Sequence, residues 1–281
     1  MAIGDISLTA GMRRTLLDLQ KTSKLMDRTQ TRLSTGKRVN TPIDNPINFF
    51  AAKGHLDRAS DLAFRKDAMG EAIQTVKAAD NGISALTALI ESAKAILQSV
   101  ASAGSTASVN ILAGQFNQVL SQMDAIVDDS GYKGVNLLES GTSLVVNFNE
   151  HSGSDSQITL SGVNTDATAA SGLNISVATT GATAPFSASG TLADAAKELD
   201  AALEKLRNTS ETLSANLNII TIRQDFTDNM IGTLQEGADN LTLADQNEEG
   251  ANMLMLQTRQ QLGITALSLS SQATQAILDL F

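Results

Sequence analysis

Apolar residues recur at heptad spacing along most of the chain, and this pattern predicts long amphipathic helices. The predicted helices span residues 5–33, 49–102, 108–128 and 191–236, followed by a tail helix over 250–281. Short connections between such helices favour antiparallel neighbours. We therefore expect a mainly α fold: a long antiparallel helical bundle, or coiled-coil rod, formed by the N- and C-terminal halves of the chain.

The tail helix is apolar on almost every side. Its heptad seam consists of Met253, Leu256, Gly263, Leu267, Ser270, Thr274, Ile277 and Phe281, and further large apolar residues lie off the seam at 254, 255, 262, 264 and 269. Such a helix is normally buried all round, whereas the ends of a chain are usually exposed. The tail is therefore expected to be covered by other molecules.

The first helix carries a single apolar stripe. Its predicted seam is Met12, Leu16, Leu19, Ser23, Met26, Gln30 and Leu33, an alternation of four and three residues. In proteins, most helical stability comes from packing of the amphipathic face rather than from the helix itself. We expect this helix to pack against the tail helix.

A structured turn is predicted between the first two helices, over residues 34–48. Gly36 is a candidate C-cap, while Pro42 and Pro46 exclude a continuous helix. Asp44 and Asn45 are the polar residues of this turn, and we interpret them as turn or N-cap devices rather than an ion site.

Residues 139–190 differ from the rest of the chain in composition. They are rich in Ser, Thr, Gly and Ala, and they alternate apolar and polar positions over 144–148 and 158–160. This pattern is typical of short strands and turns. Because few large apolar residues are present, we expect a small β-rich insertion that is exposed or partly disordered.

Composition and charge exclude several function classes. The chain of 281 residues has no cysteine, so disulfides and thiolate chemistry are excluded. A formal net charge of −10 and 3% aromatic residues argue against a nucleic acid partner. The charge is uneven, with a net +6 over residues 1–66 and −16 over the remainder. Complementarity between the basic arm and an acidic copy of the same chain is one interpretation of this asymmetry.

No catalytic, metal or cofactor site is predicted. His55 and His151 lie far apart and neither belongs to an i, i+4 metal pair. Phosphate-binding loops and nucleophile-elbow motifs are absent from the sequence. A basic, apolar leader typical of a cleaved signal peptide is also missing, and the apolar stretches are broken by Ser, Thr and Gln, so no membrane insertion is expected.

Four sequence motifs carry a family resemblance. Residues 32–40 read RLSTGKRVN and precede Asp44-Asn45-Pro46, residues 79–84 read ADNGIS, and residues 134–138 read GVNLL. The chain closes with QQLG at 260–263 and QATQAILDLF at 272–281. These motifs, in this order, resemble those of bacterial flagellins. The resemblance covers residues 1–138 and 192–281 and is weak or absent between them.

The resemblance implies a structural subunit of the flagellar filament that polymerises with itself. It implies terminal helices (1–38 and 241–281) forming the filament's inner core, a helical core domain (39–138 and 191–240) and a variable outer domain (139–190). It also implies an extracellular location, reached through the flagellar type III apparatus without a cleaved signal. The implied partners are the export apparatus, a chaperone, the filament cap and the hook-junction proteins.

In this interpretation the seam residues are contacts between copies, and the terminal helices become ordered on assembly. The predicted contact residues are Met12, Leu16, Leu19, Met26, Leu33, Met253, Leu256, Gly263, Leu267, Ile277 and Phe281. Two alternatives stay open at this point. One is a hook–filament junction protein, which has similar ends, and the other is a helical binding module or enzyme built on a bundle.

Overall fold

The computed structural model describes residues 10–150, 156–179 and 191–278, with side chains described as far as residue 276. Its elements are α1 (Ala10–Thr35), α2 (Pro46–Ala101), α3 (Thr106–Asp129), β1 (Ser143–Asn147), β2 (Gln157–Ser161), α4 (Leu192–Thr242) and α5 (Gln246–Leu278). The prediction of a mainly α fold with a small β insertion is confirmed.

One predicted helix end is wrong. The helix predicted over residues 191–236 was expected to end before Gly237, but α4 continues to Thr242. Gly237 faces His55 without a clash, since a Cβ added there would lie 3.9 Å from the nearest imidazole carbon. Ala238 is buried beside it, and the amide of Leu243 still donates to the Asp239 carbonyl, a helical i, i+4 bond. Burial of neighbouring side chains therefore overrides the low helix propensity of glycine.

Contacts divide the chain into two compact units. The terminal unit comprises Met1–Arg58 and Thr233–Phe281, and the central unit comprises Ala59–Gly232. The helices α2 and α4 contribute residues to both units. The finer division into inner core, core domain and outer domain stays a prediction.

The core of the central unit is built from the heptad positions of three helices. From α2 it takes Val76, Ala79, Ile83, Leu86, Ile90, Ala93, Leu97 and Val100, from α3 Phe116, Leu120 and Met123, and from α4 Leu199, Leu206, Leu213 and Ile220. Within this unit α2 and α4 run antiparallel, since Lys66 pairs with Asp228 while Lys94 pairs with Asp200. The heptad prediction is therefore confirmed for α2, whereas in α3 the predicted Leu112, Val119 and Ile126 are only partly buried and Ala113, Leu120 and Val127 are buried beside them.

The β hairpin forms where alternation predicted it, with Val145 opposite Thr159 in an antiparallel register. The expectation of an exposed segment is wrong, however, for the described part of residues 139–190. Its apolar side chains join the core of the central unit: Val146, Phe148, Leu160, Ala167, Leu173, Ile175 and Ala178. Polar anchors hold the irregular stretch after β2, since Asn117 exchanges two hydrogen bonds with the backbone of Ala178 at 2.7 and 2.8 Å.

Within the described part of the chain, one helix is long and apolar enough to span a membrane by length and composition alone. It is α2, and a third of its most apolar window is buried within the structure. No such run was expected from the sequence, where Ser, Thr and Gln interrupt the apolar stretches. The buried stripe of α2 packs in the core of the central unit, which is the usual reason for such a composition in a bundle helix.

Candidate assembly surface in the terminal unit

The helices α1 and α5 pack side by side in antiparallel orientation. Met12, Thr22 and Thr29 of α1 are buried, as are Glu249 and Leu256 of α5. The pairing predicted for the first and last helices is confirmed by these contacts, because Arg32 meets Glu249 while Leu19 meets Gly263.

The seam of α1 differs from the predicted one at every second position. The structure places Thr15, Thr22 and Thr29 towards α5, whereas Leu16, Ser23 and Gln30 lie outside. The hydroxyl of Thr22 donates to the Asp18 carbonyl at 2.8 Å, so its polar atom is satisfied within the helix. Threonine recurs every seven residues along α1, and this repeat marks the observed seam. The predicted seam instead followed the larger apolar residue Leu16.

Gly263 allows α5 to approach α1 closely. A Cβ added at this position would lie 2.7 Å from the Leu19 Cδ2 atom, closer than real Cβ contacts. Leu19 therefore packs directly onto the α5 backbone, as a small residue in a helix interface permits.

An ion pair joins the two helices at the C-terminal end of α1. The Arg32 Nη1 atom donates to Glu249 Oε1 at 2.7 Å, and the two side chains are 19% and 8% exposed. The Arg32 Nε atom is buried and has no hydrogen-bond partner within the described part of the chain. A charged hydrogen bond at this burial fixes the register of the pair.

The turn after α1 is fastened to the junction between α4 and α5. Gly36 has a φ of 69°, the left-handed conformation of a glycine C-cap. Its carbonyl accepts from the Ala244 amide at 2.9 Å, and the Thr242 carbonyl accepts from the Arg38 amide at 2.7 Å. On the α5 side, Asp245 Oδ1 accepts from the Asn247 amide at 2.8 Å. Backbone hydrogen bonds thus hold the two chain segments together at this end.

Asp44 and Asn45 act within the turn as the sequence predicted. Asp44 Oδ2 accepts from the amides of Asn40 and Thr41 and from the Thr41 hydroxyl. The hydrogen bond from the Thr41 amide is the main cause that holds the pKa of Asp44 below its ordinary value. Asn45 Oδ1 accepts from the Asn48 amide at 3.1 Å, which caps the start of α2.

Large apolar side chains remain on the outside of the paired helices. They are Leu16, Leu17 and Leu25 of α1, and Leu254, Met255, Leu262, Ile264 and Leu269 of α5. The turn and the start of α2 add Ile43, Ile47 and Phe50, of which Ile43 is 94% exposed. We call these side chains the outer apolar set. Scattered apolar residues are ordinary on a surface, but contiguous ones mark interaction sites.

The predicted contact residues fall into three groups in the structure. Met12, Leu19, Met26, Leu33, Met253, Leu256, Gly263 and Leu267 lie on the seam between α1 and α5. Leu16 lies at the margin, 37% exposed. The side chain of Ile277 and the whole of Phe281 lie outside the described residues. Contact with other copies stays a prediction for all of them.

The concavity along this pair is an open groove. Its volume is about 480 Å³, and Leu19, Lys21, Leu25, Arg259 and Leu262 are among its lining residues. Among the residues that the structure describes, no three His, Asp or Glu side chains are grouped to hold a metal ion. The groove combines apolar side chains with Lys21, Arg259 and Asp18, an arrangement suited to contact with another protein.

Comparison with known proteins identifies the family. Residues 6–143 match the model of the bacterial flagellin N-terminal helical region. Flagellin FljO of Caulobacter vibrioides is 28% identical over 288 residues, an alignment that spans both chains completely. The chain belongs to the bacterial flagellin family. Flagellin of Brucella melitensis is 26% identical over 95% of both chains, and flagellin C of Rhizobium meliloti is 24% identical over 91% of this flagellin.

Membership in the family settles the class of function. This flagellin is a structural subunit of the extracellular bacterial flagellar filament, in which it assembles with its own copies, and it is not an enzyme. The hook-junction alternative gains no support from these matches.

Proposed function

We propose that the terminal unit supplies the contacts that hold this flagellin in its filament, with the outer apolar set packed against neighbouring copies. The observation that carries the proposal is the exposure that persists after α1 and α5 have paired. Leu262 and Leu269 are still 65% and 62% exposed in one copy. Burying a leucine side chain contributes about 1.5–3 kcal/mol, so several such residues provide a substantial driving force for association.

The predicted seam residues have a second role in this proposal. In the free subunit the terminal helices open and close, and neighbouring copies stabilise the closed, ordered pair. Met12, Leu19, Leu256 and Leu267 then contribute indirectly by bringing the outer apolar set into position. The inner-core assignment of residues 1–38 and 241–281 belongs to the same proposal.

The route to the filament is proposed from the family resemblance. Subunits leave the cell through the flagellar type III apparatus without a cleaved signal, are held by a chaperone beforehand, and add beneath the filament cap beyond the hook-junction proteins. The helices of the terminal unit suit this route, because a single antiparallel seam can be opened for passage and formed again afterwards.

Polar substitution of the outer apolar set tests the contact role. We expect Leu262→Asp and Leu269→Asp to leave a folded monomer that does not polymerise, because each places a charge on a surface that should be dry in the filament. Val145→Asp is the matched control, since Val145 is exposed on β1 of the central unit. Sedimentation and electron microscopy after an assembly trial give the readout, and normal filaments from both leucine variants would refute the proposal.

Limited proteolysis tests ordering on assembly. Residues of α1 and α5 should be cleaved faster in the monomer than those of α2 and α3 within the central unit, and they should be protected in the filament. Termini as resistant as the central unit in the free monomer would contradict this part of the proposal.

A further inference from the structure

The outer face of α1 is a stripe of positive charge. It carries Arg13, Arg14, Lys21, Lys24 and Arg28, all of them exposed. At 3.6 residues per turn these five positions fall within about a third of the helix circumference, opposite the seam with α5. The stripe extends over about 22 Å, at 1.5 Å per residue. Asp18 and Asp27 lie outside this arc, so acidic side chains of the helix do not interrupt it. We call these five residues the basic stripe.

Most of the basic stripe lacks an acidic partner in one copy. Arg28 lies 3.9 Å from Asp44, but Arg13, Arg14, Lys21 and Lys24 have no carboxylate within ion-pair distance among the described residues. Five like charges along one face repel each other, and an acidic partner would relieve that repulsion.

An exposed acidic cluster lies elsewhere in the same unit. It consists of Glu236 and Asp239 near the end of α4, and Asp245 and Glu248 at the start of α5. Over the whole unit, residues 1–58 carry ten basic and five acidic side chains, a net +5, and residues 233–281 carry one basic and six acidic side chains, a net −5. The two segments are therefore opposite in charge, and the ion pair found between α1 and α5 in the described chain is Arg32 with Glu249.

The geometry of one copy keeps the two surfaces apart. Because Arg32 meets Glu249, the acidic junction lies beside the C-terminal end of α1, whereas Lys21 and Lys24 lie about two to three turns earlier. Lys21 also lines the groove between α1 and α5, but the stripe as a whole lies on the side of α1 opposite the seam. A contact between the stripe of one copy and the junction of the next joins two different surfaces. Repeated contacts of that kind produce open helical assemblies rather than closed dimers.

We propose that the basic stripe of α1 docks on the acidic α4–α5 junction of a neighbouring copy and fixes the stagger between subunits. The inference rests on the proposed function, since it names the partner surface within the filament. An anionic lipid surface fits the stripe less well: Leu17 is the one large apolar residue in its arc, whereas helices that lie in membranes present a broad apolar face.

Charge reversal on the stripe tests the docking. Lys21→Glu/Lys24→Glu is expected to raise the critical concentration for polymerisation at least about ten-fold, because close charge pairs at interfaces couple strongly. Its melting temperature should equal that of the wild type, since both side chains are exposed. Lys53→Glu is the control: it reverses one exposed charge of the same unit on α2, outside the stripe, and should leave the critical concentration unchanged.

Compensation identifies the partner surface. We expect Glu236→Lys/Asp239→Lys to assemble poorly alone but to co-polymerise with Lys21→Glu/Lys24→Glu in an equimolar mixture, measured by sedimentation. Binding of the stripe variant to vesicles of anionic phospholipid is measured alongside, as a test of the lipid alternative. Normal polymerisation of this variant overturns the inference, whatever the vesicle result. Absence of compensation in the mixture also overturns it. Failure of the wild-type protein to form filaments would instead refute the proposed function.

Discussion

Gly82 lies where α2 passes closest to the loop that follows α3. A Cβ added at Gly82 would lie 2.2 Å from Ser130 Oγ and 2.7 Å from Leu138 Cδ1, whereas one added at Gly114 of α3 would meet nothing within 4 Å. Ser130 and Leu138 occupy the space that a side chain on α2 would fill. From propensity alone, the two glycines should weaken their helices equally, so the difference between them arises from packing.

Gly82→Ala is therefore expected to destabilise the protein by about 1–3 kcal/mol, as overpacking of a core does. Gly114→Ala should instead stabilise it, by up to about 1 kcal/mol, because alanine favours a helix and the site is open. Urea unfolding of both variants provides the comparison. Equal effects would contradict the packing role of Gly82.

The ion pair of Arg32 and Glu249 leads to a second prediction for single residues. Glu249→Met removes the hydrogen-bond acceptor and leaves the mostly buried guanidinium of Arg32 without its partner. We expect the free energy of unfolding to fall by about 3 kcal/mol. This is near the lower limit for broken buried pairs, because Arg32 keeps 19% exposure. Glu248→Met is the matched control, since Glu248 is the adjacent residue and its side chain is exposed. Hydrogen exchange at amides of α1 and α5 measures the opening, and equal exchange in the two variants would contradict the prediction.

Heptad spacing predicted each described helix, because a helix needs one buried stripe and the sequence displays it directly. The seam of α1 was harder to predict, since Thr15, Thr22 and Thr29 compete with larger apolar residues and only the position of α5 selects between the two stripes. The burial of Ala167, Leu173 and Ile175 was not predictable from composition, because their environment is formed by helices distant in sequence. The outer apolar set was partly foreseen from the tail helix, whereas the exposure of Ile43 depends on the geometry of the turn.

The turn between α1 and α2 should respond to acid. The pKa of Asp44 is lowered mainly by the hydrogen bond from the Thr41 amide, so the stabilisation is complete above the ordinary aspartate pKa of about 3.9 and is lost as pH falls through the lower folded-state pKa. Titration of the Asp44 carboxyl carbon by NMR should give a midpoint below the ordinary aspartate value. Asp44→Asn should destabilise the protein at pH 6, and by progressively less as the pH falls through the folded-state pKa of Asp44; a midpoint at or above the ordinary aspartate value would disprove the assignment.

The two units differ in how their cores are built. In the central unit, three helices and the segment after β2 enclose fully buried side chains such as Phe116, Leu86 and Ile175. In the terminal unit, α1 and α5 meet along one seam with threonine and glycine at several positions. A single seam protects fewer backbone hydrogen bonds from solvent than a three-helix core does, so local opening should need less free energy there.

Hydrogen exchange of the monomer should show this difference directly. Amides of α1 and α5 should exchange at least about ten-fold faster than those of α2 between Val76 and Leu97, and in the filament their exchange should slow because neighbouring copies bind the folded pair. Mass spectrometry of peptides from both states provides the measurement. Uniform protection in the monomer would show that the two units open together.

The threonine and glycine seam between α1 and α5 has a consequence for reversibility. Separating the helices breaks the contacts of the large apolar side chains on the seam, but the hydroxyls of Thr15 and Thr22 stay bonded to carbonyls of their own helix. When the helices close again, the Arg32–Glu249 ion pair and the packing of Leu19 against Gly263 define their alignment. Because one ion pair and one glycine contact mark a single alignment, the two helices should return to the same register each time they separate and close.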